Sequence, residues 1–349
     1  MSTNPDQGGR PLAVYTDLDD TDFTAGVRLL EDQGFEVRYL DTQDPEAIVA
    51  GAQDAVAMLV GYATITGEMI ARLPKLEIIA LMSMGFNNVD TAAAAEHGVW
   101  VSNIPGAATE EVATHALALA LHATRGLSFY GESVVAGRWN SRAAIAQPRL
   151  SALTLGILGL GKIGSKLAEL AQPLFGEIVG YDPFLPDTDE TRARLASLGV
   201  RRASLSEVRD TANVLSLHVP LTPETESFVD AEFLAAMPRG SYLVNVSRGQ
   251  LIDSAALRAA VDSGHLAGAG LDVLDEEPPR QDHPLVDAPG VIVTPHIAYY
   301  SSESDAEYVR QQAQNVVTYA QTGRPDAPVN TPTISPTHAA PAAAASAGA

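Results

Sequence analysis

Short apolar runs alternate with helix-period segments along nearly the whole chain, and this alternation leaves few folds open. "LAVYTD" (12–17), "FEVRYL", "AVAMLV", "LEIIALMSM" and "VWVSN" read as strands. Helical spacing separates them, in "FTAGVRLLEDQG" up to Gly34 and near "PEAIVAGA". A second series follows: "TLGILG", "EIVGYD", "VLSLHV", "SYLVNV", "GAGLDV" and "VIVTPH". Such alternation predicts α/β architecture with doubly wound parallel sheets, and two series in 349 residues predict two domains. Between the series, 109–139 reads as one long helical stretch, with Thr109 as its cap and Glu110 and Glu111 in the first turn. A last helix covers 303–322 and closes at Gly323. The Pro/Ala/Ser-rich segment 331–349 has no core-forming residues and reads as a disordered tail.

Composition removes several function classes. The formal net charge is −21, scattered rather than blocked, which argues against nucleic-acid binding and against docking on an anionic membrane. There is no cysteine, so thiolate metal sites and a thiol nucleophile are excluded, and no metal is expected. The polar start "MSTNPDQGGRP" lacks the apolar core of a signal peptide, and no apolar run is long enough to span a bilayer. A cytoplasmic protein is the expectation.

Within the second series, "LTLGILGLGKIGSKLAEL" sets Gly159, Gly161 and Gly164 between a strand and a helix. A glycine turn beside a surface acid would satisfy the same letters. The context favours a dinucleotide cradle: one glycine for the turn, one for backbone approach to a pyrophosphate, one for helix–strand packing. Lys162 and Ile163 open the helix, whose N–H groups and dipole suit a phosphate. Asp182 ends the next strand, 18 residues past Gly164, where a carboxylate binds the adenosine ribose and repels a 2′-phosphate. No Arg or Lys follows until Arg192, so NAD is expected over NADP.

Three later strands end in chemistry-bearing residues: Arg248 after "YLVNV", Asp272, Glu276 and Glu277 after "GAGL", and His296 after "VIVTP". Strand carboxyl ends form the crevice of such a sheet, so these groups can converge on one cofactor. Hydride transfer to a ketone leaves an alkoxide that needs a proton, and histidine suits that task near neutral pH. A neighbouring carboxylate raises its pKa and fixes its tautomer, while a guanidinium holds a carboxylate by two hydrogen bonds. His218 also ends a strand and is the rival acid/base, otherwise lining the crevice. His97 and His265 sit at helix ends, where a capping or dipole role is the plainer reading, and Glu276 reads as solvated.

Together these motifs resemble the D-isomer-specific 2-hydroxyacid dehydrogenase family over roughly 12–330. The resemblance implies two Rossmann-like domains, the cofactor domain (103–297) inserted into a flavodoxin-like substrate domain (1–102 plus 298–330). It implies an NAD-dependent oxidoreductase that interconverts a small 2-oxoacid and a D-2-hydroxyacid. By the same resemblance Arg248 orients the substrate, His296 is the acid/base and Glu277, just before Pro278, supports it. Asp272 stands near the nicotinamide amide, and Val219, Pro220, Val246 and Ser247 line the cofactor. Backbone N–H groups around Ser83, Met84 and Gly85 meet the substrate carboxylate. The helix at 109–125 is apolar over more of its circumference than one core stripe needs, and in the family it crosses a twofold interface, so a homodimer is expected.

The chain also departs from the family pattern. Relatives often carry Arg at the positions of Leu81 and, for phosphorylated substrates, near Gly61. Their absence, and a family pattern ending near 330 with no room for an appended regulatory domain, weaken a 3-phosphoglycerate reading, although Arg138 or Arg142 can compensate. "HIAYYSSES" is similar to the C-terminal-binding-protein branch of NAD(H)-sensing corepressors, the rival from another class. Tyr299 or Tyr300 brings an aromatic ring to the substrate and favours a medium or apolar side chain. A glyoxylate, hydroxypyruvate or phosphoglycerate-type dehydrogenase, or an enzyme of an unusual substrate such as a phosphonate, stays open.

Overall fold

The computed structural model describes residues 10–17, 21–140 and 147–334. The chain divides into two compact units, 1–107 with 301–349, and 108–300. Arg142 and positions 335–349 of the expected tail lie outside the described residues. Residues 331–334 are described, and Thr333 hydrogen-bonds through both its N–H and its hydroxyl to the Ala95 carbonyl.

The first unit is a sheet of five parallel strands: β1 (Leu12–Tyr15), β2 (Glu36–Tyr39), β3 (Ala55–Val60), β4 (Ile78–Leu81) and β5 (Trp100–Ser102), in the order β2-β1-β3-β4-β5. The helices between them are α1 (Thr24–Asp32), α2 (Pro45–Gly51), α3 (Gly67–Ala71) and α4 (Thr91–Glu96). Parallel strands covered on both faces must be apolar at consecutive positions. Accordingly Met58 and Val60 of β3 join Ile48, Ile70 and Ile79 on one face. Ala57 and Leu59 join Leu30, Val309 and Val316 on the other.

The second unit begins with α5 (Thr109–Arg125) and α6 (Leu127–Val135). Its seven parallel strands are β6 (Thr154–Leu158), β7 (Glu177–Tyr181), β8 (Val200–Arg202), β9 (Val214–Leu217), β10 (Ser241–Asn245), β11 (Leu266–Leu271) and β12 (Val291–Val293). They run β12-β11-β10-β9-β6-β7-β8, so the order reverses between β6 and β9. Helices α7 (Lys162–Ala171), α8 (Asp189–Ser197), α9 (Leu205–Thr211), α10 (Ala231–Ala236) and α11 (Ser254–Asp262) link them. In the first unit, α12 (Ser302–Thr322) packs on α1 and β4 and ends at Gly323, which takes a left-handed φ of 77°.

The stretch 109–139 is two helices, not one. Gly126 at φ 59° closes α5 and opens α6, a conformation glycine adopts without strain. Thr109 is the first helical residue rather than the cap, which is Ala108. The apolar side of α5 packs within its own unit, against α7, β10 and β11.

Candidate active site

The reversal between β6 and β9 is where a sheet of this kind binds a ligand. Gly159 follows β6 at φ 93°, and a Cβ there would lie 2.3 Å from the His218 carbonyl that follows β9. A Cβ on Gly164 would lie 2.0 Å from the Gly159 carbonyl, so that glycine lets α7 seat against the turn. A Cβ on Gly161 would meet nothing within 4 Å. Gly161 is the N-cap of α7 and makes no side-chain cap hydrogen bond, and Gly161 and Lys162 are exposed with Ile163 half-buried beside them. Turn, open approach and close packing thus fall on the three glycines as a bound pyrophosphate requires. Asp182, at the end of β7, accepts from Leu160 N (2.9 Å) and Phe184 N (2.9 Å), which ties it to the same loop.

Neighbouring strand ends are stitched together. Ser247 Oγ donates to the Leu217 carbonyl (2.8 Å), joining the end of β10 to that of β9. The fully buried Asn245 donates to the Arg248 carbonyl (2.8 Å) and accepts from Ser247 N (3.0 Å), which fixes the turn that carries Arg248. The Arg248 guanidinium also donates to the Ser247 carbonyl (2.7 Å). Val219 is half-buried, Pro220 exposed and Val246 buried along this edge.

His296 and Glu277 meet. Nδ1 of His296 lies 2.7 Å from Glu277 Oε2, while Glu277 Oε1 accepts from Leu274 N (2.9 Å). Burial would raise the Glu277 pKa. The hydrogen bond to His296, its charge, the Leu274 N–H and the Arg248 guanidinium outweigh that and hold the carboxyl below its ordinary value. Glu277 is therefore anionic at neutral pH, and His296 has an oriented partner on one nitrogen. Glu276 instead pairs with Arg280 (2.9 Å).

The histidine backbone is left-handed, with φ 54°, an uncommon state for a non-glycine residue. Asp272 holds it there. Its carbonyl accepts from His296 N (2.9 Å), and its buried carboxylate accepts from Thr294 Oγ1 (2.5 Å), Ile297 N (3.0 Å) and Ala298 N (2.8 Å). Its carboxylate oxygens thus serve the segment that carries His296. His115 of α5 completes the cluster, 3.0 Å from Thr294 Oγ1 and 3.5 Å from Asp272 Oδ1. Sequence reasoning missed His115 because it sits in an apolar helix with no local signal of a role.

His218 stands differently. Its Nε2 hydrogen-bonds to Ser216 Oγ (2.8 Å), and desolvation pushes its pKa down to about 4. It is neutral at neutral pH, and among the described residues it meets no carboxylate of the kind His296 has. His97 caps α4, with Nδ1 2.8 Å from the Ala93 carbonyl, and His265 bonds the Leu234 and Met237 carbonyls. Arg138 is exposed.

Ser83, Met84 and Gly85 belong to the first unit. Their carbonyls are taken by Ile104 N, Asn103 Nδ2 and Ser83 Oγ respectively, which sets the loop's backbone direction. Tyr299 belongs to the second unit, half-buried and edge-on to the exposed Tyr300. No helix among the described residues is long and apolar enough to cross a membrane.

Residues 117–298 match the family model described as D-isomer specific 2-hydroxyacid dehydrogenase, NAD binding domain. The chain is 37% identical to D-3-phosphoglycerate dehydrogenase of Mycobacterium tuberculosis over 291 residues, 83% of this chain and 54% of that protein. It spans about half the length of the phosphoglycerate dehydrogenases it matches. It is 34% identical to glycerate dehydrogenase of Methylorubrum extorquens, covering 82% of this chain and 89% of that one. Among solved structures, D-lactate dehydrogenase from Aquifex aeolicus, complexed with NAD and lactic acid, superposes with a TM-score of 0.79 at 28% identity, over 88% of this chain and 94% of that one.

Proposed function

Because this chain belongs to the D-isomer-specific 2-hydroxyacid dehydrogenase family, we propose that it interconverts a small 2-oxoacid and the matching D-2-hydroxyacid with NAD(H). The observation that carries the reading is the His296–Glu277 pair, a proton donor held by an anionic carboxylate at the strand ends of a dinucleotide-binding sheet. A protein that only sensed NAD(H), as in the corepressor branch, would have no use for that pair.

NADH, when bound, supplies the hydride that reduces the carbonyl carbon. The glycine turn and the N-terminus of α7 hold the pyrophosphate, with Asp182 on the ribose. Arg248 grips the substrate carboxylate and polarises the adjacent carbonyl by a two-pronged contact. Because Nδ1 faces Glu277, Nε2 is the nitrogen that delivers the proton to the carbonyl oxygen and removes it in the reverse direction. Glu277 stabilises the imidazolium before transfer. Within the second unit the reading also gives the Tyr299 ring to the substrate's substituent.

A cytoplasmic location is part of the same reading. So is a homodimer, supported by the exposed apolar surface of α6. Loss of NADH absorbance over a panel of 2-oxoacids tests the activity, and silence across the whole panel would refute it. NADH is expected to be strongly preferred over NADPH, and Asp182→Ala to relax the preference by removing the charge that repels a 2′-phosphate. Equal use of both cofactors by the wild type would refute the role given to Asp182.

A further inference from the structure

Within the second unit, Arg248 and Glu277 lie on separate connections, one leaving β10 and the other β11. Reacting groups must be held closely, since a misplacement of about 1 Å can cost roughly 10²-fold in rate. The two connections are joined close to both groups. Gly249 follows Arg248, and a Cβ there would lie 1.8 Å from the Leu274 carbonyl carbon and 2.2 Å from Asp275 N, so the two backbones run in contact. Gln250 Nε2 donates to the Asp275 carbonyl (3.2 Å). Asp275 Oδ1 accepts from Ser254 Oγ (2.5 Å), at the start of α11, and from Nε2 of the buried His283 (2.9 Å). His283 Nδ1 accepts from Leu285 N (3.3 Å), which leaves Nε2 as the nitrogen that carries the proton.

Leu274 and Asp275 are thus held by a backbone contact on one side and by side chains from α11 and the 279–285 segment on the other. The next link is Leu274 N. It donates to Glu277 Oε1 (2.9 Å) and so sets the turn of the carboxylate whose Oε2 meets His296 Nδ1 (2.7 Å). The Asp275 side chain is 43% exposed and could satisfy its oxygens with water; instead one oxygen takes two protein donors. A chain of contacts therefore runs from Ser254 and His283 through Asp275, Leu274 N and Glu277 to the ring of His296.

We propose that Asp275 is a positioning residue for the reaction: by joining Ser254 and His283 it holds the Leu274 N–H where that group orients Glu277, and through Glu277 the His296 ring. The proposal rests on the oxoacid reading above. What Asp275 contributes is an acceptor oxygen with two lone pairs, not its charge.

Steady-state kinetics of the full chain with NADH test it, using whichever of pyruvate, glyoxylate, phenylpyruvate and 4-methyl-2-oxopentanoate is reduced fastest. Asp275→Ala is expected to lower kcat by roughly 10²-fold. KM for NADH should stay near wild type, because the glycine turn follows β6 instead. Asp275→Asn removes the charge and keeps the acceptor, so it should retain kcat within about threefold. Added to Glu277→Gln, Asp275→Ala should cost less than about threefold more, because it acts through Glu277. An Asp275 that is merely structural would lower the unfolding midpoint and leave kcat per NADH-binding site unchanged. That result overturns the proposal, as does an Asn variant as slow as the Ala variant, or an undiminished loss in Glu277→Gln. Should Asp275→Ala not fold, Ser254→Ala removes one donor only and is expected to lower kcat several-fold; wild-type turnover there overturns the proposal. If no oxoacid consumes NADH, the oxoacid reading falls, and the nitrogen chemical shifts of the His296 ring decide the positioning separately. The neutral ring should carry its proton on Nδ1 in the wild type and shift toward Nε2 in Asp275→Ala, or in Ser254→Ala where the former does not fold; an unchanged tautomer overturns it.

Discussion

At the scale of single residues, two histidines at two strand ends have been set to opposite tasks by their surroundings. His296 has an anionic partner on Nδ1, and His218 has a hydroxyl and a desolvated site. His296→Ala should lower turnover by the ~10²–10⁴ typical of general acid–base catalysis while NADH binding, read by fluorescence, stays near wild type. Glu277→Gln removes the charge that favours the imidazolium. Its turnover should fall while NADH binding stays near wild type, because Nδ1 loses its anionic partner but the shape of the site is kept. If His218→Ala abolishes turnover while His296→Ala keeps it, the two roles are exchanged. His218 also has a stability consequence. Its pKa falls from 6.5 to about 4 on folding, so the unfolded chain takes up the proton first as pH drops. Its contribution is complete above the unfolded value and is lost as pH falls from 6.5 toward 4, by up to roughly 3 kcal/mol. His218→Gln should therefore flatten the decline in urea midpoint between neutral pH and about pH 4.5, and an unchanged decline would refute this. That His296 and Glu277 could meet was legible in the sequence because both lie in the segments that leave apolar strands, β12 and β11. The Asp272–Thr294–His115 cluster was not, because His115 is far away in the chain and only the fold brings it to Asp272.

At the scale of elements, legibility followed burial. The long apolar strands, and helices with a clear stop such as Gly34 or Gly323, stand where the sequence placed them. The short α3 and α4, and the edge strand β8 with its exposed Arg201 and Arg202, carried no apolar period strong enough to announce them. The stretch 109–139 looked continuous because helical spacing persists across Gly126, and only the left-handed φ of that residue breaks it. The glycine turn shows the opposite case, where three letters predict close contacts. A Cβ on Gly164 would overlap the Gly159 carbonyl, so Gly164→Ala must push α7 off the turn. Overpacking of this kind costs about 1–3 kcal/mol. The variant should fall in urea stability by that amount and lose NADH affinity with it, because the displaced helix carries the phosphate-binding N–H groups. Wild-type affinity for NADH in a stable Gly164→Ala protein would show that α7 does not hold the cofactor.

At the scale of the whole molecule, the two α/β sheets were readable from the alternation, but assembly lies in surfaces, which the period of a helix does not reveal. The apolar circumference of 109–125 points to a helix shared between subunits; α5 buries Val112, Ala116, Leu119 and Ala120 inside its own unit and leaves Leu117 and Leu121 half-buried. The exposed apolar surface belongs to the following helix. On α6, Leu127 is 57% exposed, Val134 52% and Val135 90%, with Trp139 at 90% just beyond it. Isolated exposed apolar residues are ordinary, but five large ones, Phe129 included, within thirteen positions of one helix and its exit form a patch of the sort that marks a protein interface. With a net charge of −21, two copies repel at long range, so a dimer must draw its affinity from apolar burial at such a patch. The chain is expected to be a dimer by light scattering at micromolar concentration, and added salt should tighten it by screening the repulsion. Val135→Asp combined with Trp139→Asp places two buried, unpaired carboxylates in each half of the interface, which should shift the mass to that of a monomer while the unfolding transition of the chain persists. A wild type that scatters as a monomer, or a double variant that remains a dimer, would remove α6 from the assembly.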